Sequence, residues 1–300
     1  MTETRIERGA TAVGWRPNWR PALRLLPFYR RAEFLRQALH AAKAELRTQR
    51  GDGKKLKREV VEKSRQVRAL EKVVHELMDR HGWLSLPPPE LRVHVGRVPA
   101  TANFLAQGLD SARRVLEVFG ADPGGPVLDW GCGSGRTLAW LKGVGTWDSN
   151  YRGCDVDAAA ISWLKDQGVA GVDVCGDLPP LPHEGGTLAG LFCFSVLTHI
   201  PPKRHGAWYA EIHRVLKPGG RAYVTVHGDD NIRNGKSFTD EERRDYARTG
   251  WSWSERDGHY KHAATVSSAF TIDALAGRFE IEAYRELGYH SMDALTLRRT

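Results

Sequence analysis

Between Asp129 and Gly135 the chain reads D-x-G-x-G-x-G, with Gly131, Gly133 and Gly135 at alternate positions after an apolar run and before an amphipathic stretch. Glycines let backbone approach a ligand closely, and a turn from a strand's carboxyl end into a helix aims N–H groups at that ligand. Two nucleotide patterns are excluded. The phosphate cradle G-x-x-x-x-G-K-[ST] needs a lysine that is not there, and the dinucleotide pattern G-x-G-x-x-G needs a glycine where Arg136 stands. An acid two residues before the first glycine suits a cation better than a pyrophosphate. Asp129 is therefore expected to face the ammonium of an amino-acid group, directly or through water.

Two further acids extend the pattern. "YRGCDVD" puts Asp155 at the end of a second strand, where a carboxylate accepts the two hydroxyls of a ribose. "CGDLPPLP" ends a third strand, where Asp177 can meet the exocyclic amine of an adenine with Leu178 against the ring. Singly, each aspartate is also a common helix cap or turn former.

With "VLDWGCGSGR", "GCDVD", "GDLPPLP", "FSVLTHI" and "RVLKPGGRAYVTVHG" in that order, the chain from about Leu86 to Thr300 resembles the class I S-adenosylmethionine-dependent methyltransferases. The resemblance implies an α/β fold: a Rossmann-like seven-stranded sheet with helices on both faces and a C-terminal antiparallel hairpin. It implies an enzyme that transfers methyl by in-line displacement, with S-adenosylmethionine held by Asp129, Gly131, Gly133, Gly135, Asp155, Asp177, Leu178 and Ser195. "PPPELRVHVG" and "MDALTLRR" are similar to bacterial members that accompany polysaccharide or natural-product biosynthesis. One position departs from the family. Many members carry an acid at the start of the fourth strand, and here "LAGLFCFSV" has Gly190.

A sulfonium donor already carries a good leaving group, and alignment of the nucleophile alone supplies ~7–11 kcal/mol. A hydroxyl acceptor must also lose a proton, and a positioned base adds roughly 10²- to 10⁴-fold. "FSVLTHIPPKRH" stands where enzymes acting on amino groups of adenine, cytosine or glutamine have [DN]-P-P-[YFW], which argues against those acceptors. No catalytic cysteine of the kind used on pyrimidine carbon-5 is present. His199 and His227 fall at strand carboxyl ends where a base is wanted, although a histidine there also serves as a structural hydrogen-bonder. The expected acceptor is a hydroxyl of a small molecule or a saccharide. His259 and His262, with Asp229 and Asp230, are the ligand types a divalent ion takes, but their spacing gives no support and no metal is expected.

These residues need a scaffold, and the hydropathy pattern supplies one. Strand-like segments near Val127, Arg152, Val169, Leu188 and Ala222 alternate with helix-like ones near Thr137, Ala158 and Arg204, the pattern of a parallel sheet. A helix over about Ala102 to Phe119 precedes them. Another, around Thr271 to Arg278, leads into "FEIEAYREL" and "MDALTLRR", which read as a hairpin closing one edge. The four cysteines form no C-x-x-C pair and lie in or beside strands, which suits buried thiols rather than disulfides or zinc. An apolar content of 41% over 300 residues suits one core plus an accessory element. No run is long enough to cross a bilayer and no secretion signal is present, so a cytoplasmic location is expected.

The domain organisation expected is an extended basic arm over 1–30, a helical coiled-coil segment over 31–82, a linker over 83–100 and the methyltransferase domain over 101–300. Residues 1–80 hold 20 Lys and Arg against 10 Asp and Glu, while residues 81–300 hold 24 against 26. Such an arm reads as a solvated helix face, or alternatively as a grip on RNA or another anionic macromolecule. Ten of thirteen heptad a and d positions from Leu35 to Leu77 are apolar, with paired glycines in "QRGDG" between the halves. Either a kinked helix or a hairpin fits, and the stripe either pairs two chains as a homodimer or packs on its own body. A coiled-coil scaffold with a methyltransferase-like fold is the alternative from another class. The intact glycine motif and its acids speak against it.

Overall fold

The structure, a computed structural model, describes residues 6–7, 84–92, 101–235, 238–255 and 262–300. Apart from Ile6 and Glu7, the arm over 1–30 and the heptad segment over 31–82 lie outside the described residues. The elements in chain order are β1 (Ile6–Glu7), α1 (Pro89–Arg92), α2 (Thr101–Phe119), β2 (Val127–Trp130), α3 (Leu138–Leu141), α4 (Trp147–Asn150), β3 (Tyr151–Asp155) and α5 (Ala158–Asp166). They continue with β4 (Val172–Val174), β5 (Leu188–Cys193), α6 (His205–Val215), β6 (Leu216–Val226), α7 (Asp229–Asn234) and α8 (Asp240–Thr249). Last come β7 (Trp251–Glu255), β8 (His262–Val266), α9 (Ser268–Leu275), β9 (Phe279–Tyr289) and β10 (Met292–Arg299).

The main sheet has the order β1-β9-β10-β6-β5-β2-β3-β4. Only β10 runs antiparallel to its neighbours, so β2 to β6 and β9 all end at one edge. These are the seven strands expected, with the hairpin where the sequence put it and two residues of β1 added outside β9. β5 is buried at all six positions, as a strand covered on both faces requires. The indole rings of Trp130 and Trp208 lie 4.5 Å apart between centroids. All four cysteines are free and buried.

Local differences from the sequence reading have local causes. β4 begins at Val172 rather than near Val169, because Gly168 and Gly171 adopt φ of 74° and 70° and hold the intervening residues in a turn. α9 begins three residues earlier than Thr271, because Ser267 accepts the Phe270 N–H at 3.1 Å and caps it. Between β6 and α9 the chain builds an insert, α7, α8 and the two-stranded β7–β8 sheet, that the sequence reading left unassigned.

The described residues fall into two compact units: 6–7, 114–133 and 143–300 in one, and 84–92, 101–113 and 134–142 in the other. In the smaller unit, Arg136 Nη1 donates to Gln107 Oε1 at 2.8 Å and Ser134 Oγ donates to the Leu91 carbonyl at 3.2 Å. In the larger one, the neighbours of Gly190 leave no room for the acid expected there. A Cβ there would sit 2.3 Å from the Phe119 ring, which packs against Trp147 and Phe192 at centroid distances of 6.4 and 6.3 Å. Among the described residues no helix is long and apolar enough to cross a membrane.

Candidate active site

The glycine turn leaves β2 and is tied at once to β3. The N–H groups of Gly131 and Cys132 both donate to the Cys154 carbonyl, at 2.8 and 3.1 Å. Gly131 has φ 82° and Gly133 φ 50°, the left-handed region that an L side chain enters at a cost of roughly 1–2 kcal/mol. A Cβ on Gly131 would also lie 2.4 Å from a Val196 methyl, so the turn fits under the end of β5 only without a side chain. At Gly133 the nearest atom to such a Cβ is Asp155 Oδ2, 4.0 Å away, which leaves open space beside the turn. Gly135, φ 80°, belongs to the smaller unit, where its carbonyl accepts the Ala139 N–H.

Asp155 closes this turn. Its Oδ2 accepts the Gly133 N–H at 2.7 Å and its Oδ1 accepts the Asp157 N–H at 2.9 Å. Asp129 lies deeper, 3% exposed, and its Oδ2 accepts the Tyr151 hydroxyl at 3.0 Å. Burial and the adjacent Asp129 push the Tyr151 phenol far above its usual range, which keeps it a donor.

Beyond Asp155 the edge turns apolar. Val156 is 61% exposed and Leu178 is 49% exposed, on the ends of β3 and β4, with Asp177 exposed between Leu178 and the strand. The Cys175 N–H, donating to the Asp155 carbonyl at 2.9 Å, holds those two ends together. Leu178 is the residue the sequence reading named here, and Val156, which it did not name, stands directly after Asp155.

The end of β5 carries a second tight arrangement. Ser195 has φ 64°, its N–H donates to Thr225 Oγ1 at 2.8 Å, and its Oγ lies 2.7 Å from Thr198 Oγ1. The Thr198 hydroxyl, 2.6 Å from the Ser195 carbonyl, makes the turn self-bracing. His199 ends the short 3₁₀ turn that follows, half-buried. His205 pins that turn: its Nε2 bonds the carbonyls of Leu197 and Ile200 at 3.1 and 3.0 Å, and burial holds its imidazole below the ordinary histidine range. His227, half-buried, ends β6, and its carbonyl accepts the Val266 N–H at 2.9 Å, anchoring the β7–β8 insert.

Asp229 has both oxygens engaged, by the Tyr246 hydroxyl at 2.6 Å and the Ser268 N–H at 3.2 Å, and Asp230 Oδ1 accepts from Asn234 Nδ2 at 2.7 Å. His259 lies outside the described residues, and among these no group of three or more His, Cys, Asp or Glu is placed to hold a metal ion.

Residues 127–220 match the family model of a methyltransferase domain. The chain is 32% identical over 116 residues to 24-methylenesterol C-methyltransferase 2 of Oryza sativa subsp. japonica, covering 36% of this chain and 30% of that one. It is 30% identical over 130 residues to demethylmenaquinone methyltransferase of Beutenbergia cavernae, covering 43% and 52%. It is 28% identical over 183 residues to malonyl-[acyl-carrier protein] O-methyltransferase of Herminiimonas arsenicoxydans, covering 60% and 61%. The chain thus spans between 30% and 61% of the length of these curated relatives. It carries a methyltransferase domain, whose cofactor is S-adenosylmethionine. The open side of Gly133, the Asp155 carboxylate and the exposed Val156 and Leu178 fit the chemistry of that molecule, a polar amino-acid end, a ribose and an apolar ring face.

Proposed function

We propose that residues 101–300 methylate a hydroxyl group of a small molecule, with Asp155 receiving the ribose hydroxyls, Val156 and Leu178 the purine faces, Asp177 the exocyclic amine and the glycine turn the amino-acid end. The bound cofactor supplies an electrophilic methyl group on a sulfonium sulfur. The observation that supports the reading is one sheet edge, with the glycine turn, Asp155, Val156 and Leu178 at the ends of β2 to β4 and His199 and His227 in the turns that follow β5 and β6.

In this reading the protein aligns an acceptor oxygen with the methyl carbon and takes its proton. With S-adenosylmethionine bound, the acceptor oxygen would replace sulfur on the methyl carbon, sulfur would keep the electron pair, and His199 or His227 would hold the acceptor's proton. The relatives' names give a C-methyltransferase of a 24-methylenesterol, a demethylmenaquinone methyltransferase and an O-methyltransferase of malonyl-[acyl-carrier protein], and the last of these names oxygen as the atom methylated. Alanine at whichever histidine is the base lowers turnover by roughly 10²-fold or more, with cofactor affinity little changed. Near-normal turnover in both single variants overturns the base and points to an acceptor that needs none at neutral pH, such as a carboxylate.

The heptad segment over 31–82 is proposed to pair two chains, with valine at 60, 67 and 74 and leucine at 56, 70 and 77 in its second half. Leu70→Glu with Val74→Glu then gives a monomer by light scattering. A wild type that is already monomeric overturns the pairing.

A further inference from the structure

Among the described residues three that are not glycine adopt positive φ: Ser195 at 64°, Leu287 at 51° and His290 at 52°. All three stand at the edge where β5, β6 and β9 end. They bracket one aromatic contact, since Phe194 precedes Ser195, Tyr289 precedes His290, and the Phe194 and Tyr289 rings lie 4.6 Å apart. Strained backbone of this kind persists only where surrounding structure enforces it, and it clusters at ligand sites.

Leu287 is the least expected of the three. It is 44% exposed, and the glycine next to it, Gly288, does not take the left-handed conformation that costs a leucine most. A bulge places it there. Tyr289 pairs with Met292 and Arg285 with Ala294, so Glu286, Leu287 and Gly288 all stand opposite Asp293. Bulges at a sheet edge re-aim side chains, and this one is held by a buried carboxylate. Asp293, 1% exposed, accepts the Leu287 N–H on Oδ1 at 3.0 Å and the Tyr284 hydroxyl on Oδ2 at 2.9 Å. The same carboxylate lies directly on Gly228, where a Cβ would come within 1.9 Å of it. The turn that carries His227 and the bulge that carries Leu287 are thus locked together.

The exposed large apolar side chains among the described residues are Val156, Val174, Leu178 and Leu287. The first three lie around β3 and β4, in the half of the edge fitted to the cofactor. Leu287 alone stands in the other half. We infer that Leu287, held out by a bulge whose brace, Asp293, also lies against the Gly228 that follows His227, is the apolar wall of the acceptor site, and that the acceptor is a hydroxyl compound with an apolar body rather than a saccharide. The inference rests on the methyltransferase reading above. It adds the acceptor's class and a specificity-determining residue.

The test is titration calorimetry on the full chain. S-adenosylhomocysteine is added first; no binding by the wild type overturns the methyltransferase reading itself, before any acceptor probe is present. With that site saturated, 2-naphthol and methyl glucoside are titrated separately. The expected result is binding of 2-naphthol and not of the glucoside. Leu287→Gly should weaken 2-naphthol at least tenfold, with S-adenosylhomocysteine affinity unchanged and the melting temperature equal or higher, because glycine relieves the left-handed strain. Leu287→Asn, which also tolerates that conformation, should weaken it likewise. Equal 2-naphthol affinity in wild type and both variants, or preference for the glucoside, overturns the inference.

Discussion

Asp155→Ala lowers affinity for S-adenosylmethionine by about 100-fold, read by calorimetry on a protein that remains folded. Hydrogen bonds to a charged group contribute roughly 1.5–3 kcal/mol each, and two ribose hydroxyls together approach the ~3 kcal/mol that such a factor represents. A second loss adds to the first. The same carboxylate receives the N–H groups of Gly133 and Asp157, so its removal frees the glycine turn as well as the ribose. Asp155→Asn does not rescue it, because one end of the amide then presents N–H to a backbone N–H. Affinity within threefold of wild type in Asp155→Ala would remove Asp155 from the site.

Gly190→Asp, which places an acid within the fully buried β5, unfolds the protein or lowers its melting temperature by at least about 8 °C. Two costs add. The new Cβ falls 2.3 Å from the Phe119 ring, which neighbouring rings hold in place, and overpacking of this kind costs typically 1–3 kcal/mol. The carboxylate itself would be buried without a partner in the middle of β5, for several kcal/mol more. The total exceeds about 4 kcal/mol, and a domain of this size loses roughly 2–4 °C per kcal/mol. Gly190→Ala, carrying the first cost alone, should melt between the two. A melt of Gly190→Asp within 2–3 °C of wild type (about 1 kcal/mol) would show that Phe119 moves aside freely.

The sheet was legible because its strands are short apolar runs ended by glycine and acid, a pattern written in consecutive residues. The hairpin of β9 and β10 was legible from a different pattern, the alternation of apolar and charged residues along FEIEAYREL. Val169 misled because it is apolar and lies before the strand, whereas the two glycines around it dictate a turn. At the site, Asp155 and the glycines could be named from spacing, but Asp155's double role in bracing the turn could not, since Gly133 lies 22 residues away. The insert carried signals that were passed over: Thr239 and Glu242 form a reciprocal cap on α8, and Gly250 ends it at φ 76°. Leu287 could not have been found at all. Nothing in "YRELGYH" says that the left-handed residue is the leucine and not the glycine beside it.

The insert is tied to the sheet by the His227 carbonyl, which accepts the Val266 N–H, and is tied within itself by Asn231 Nδ2 donating to Thr265 Oγ1 at 2.8 Å. None of these anchors involves Asp129, Gly131, Gly133, Asp155 or Leu178. The donor half and the insert are therefore separable under selection. On the proposed reading, the insert can change length or chemistry without disturbing Asp155 or the glycine turn, which leaves it free to vary with the acceptor.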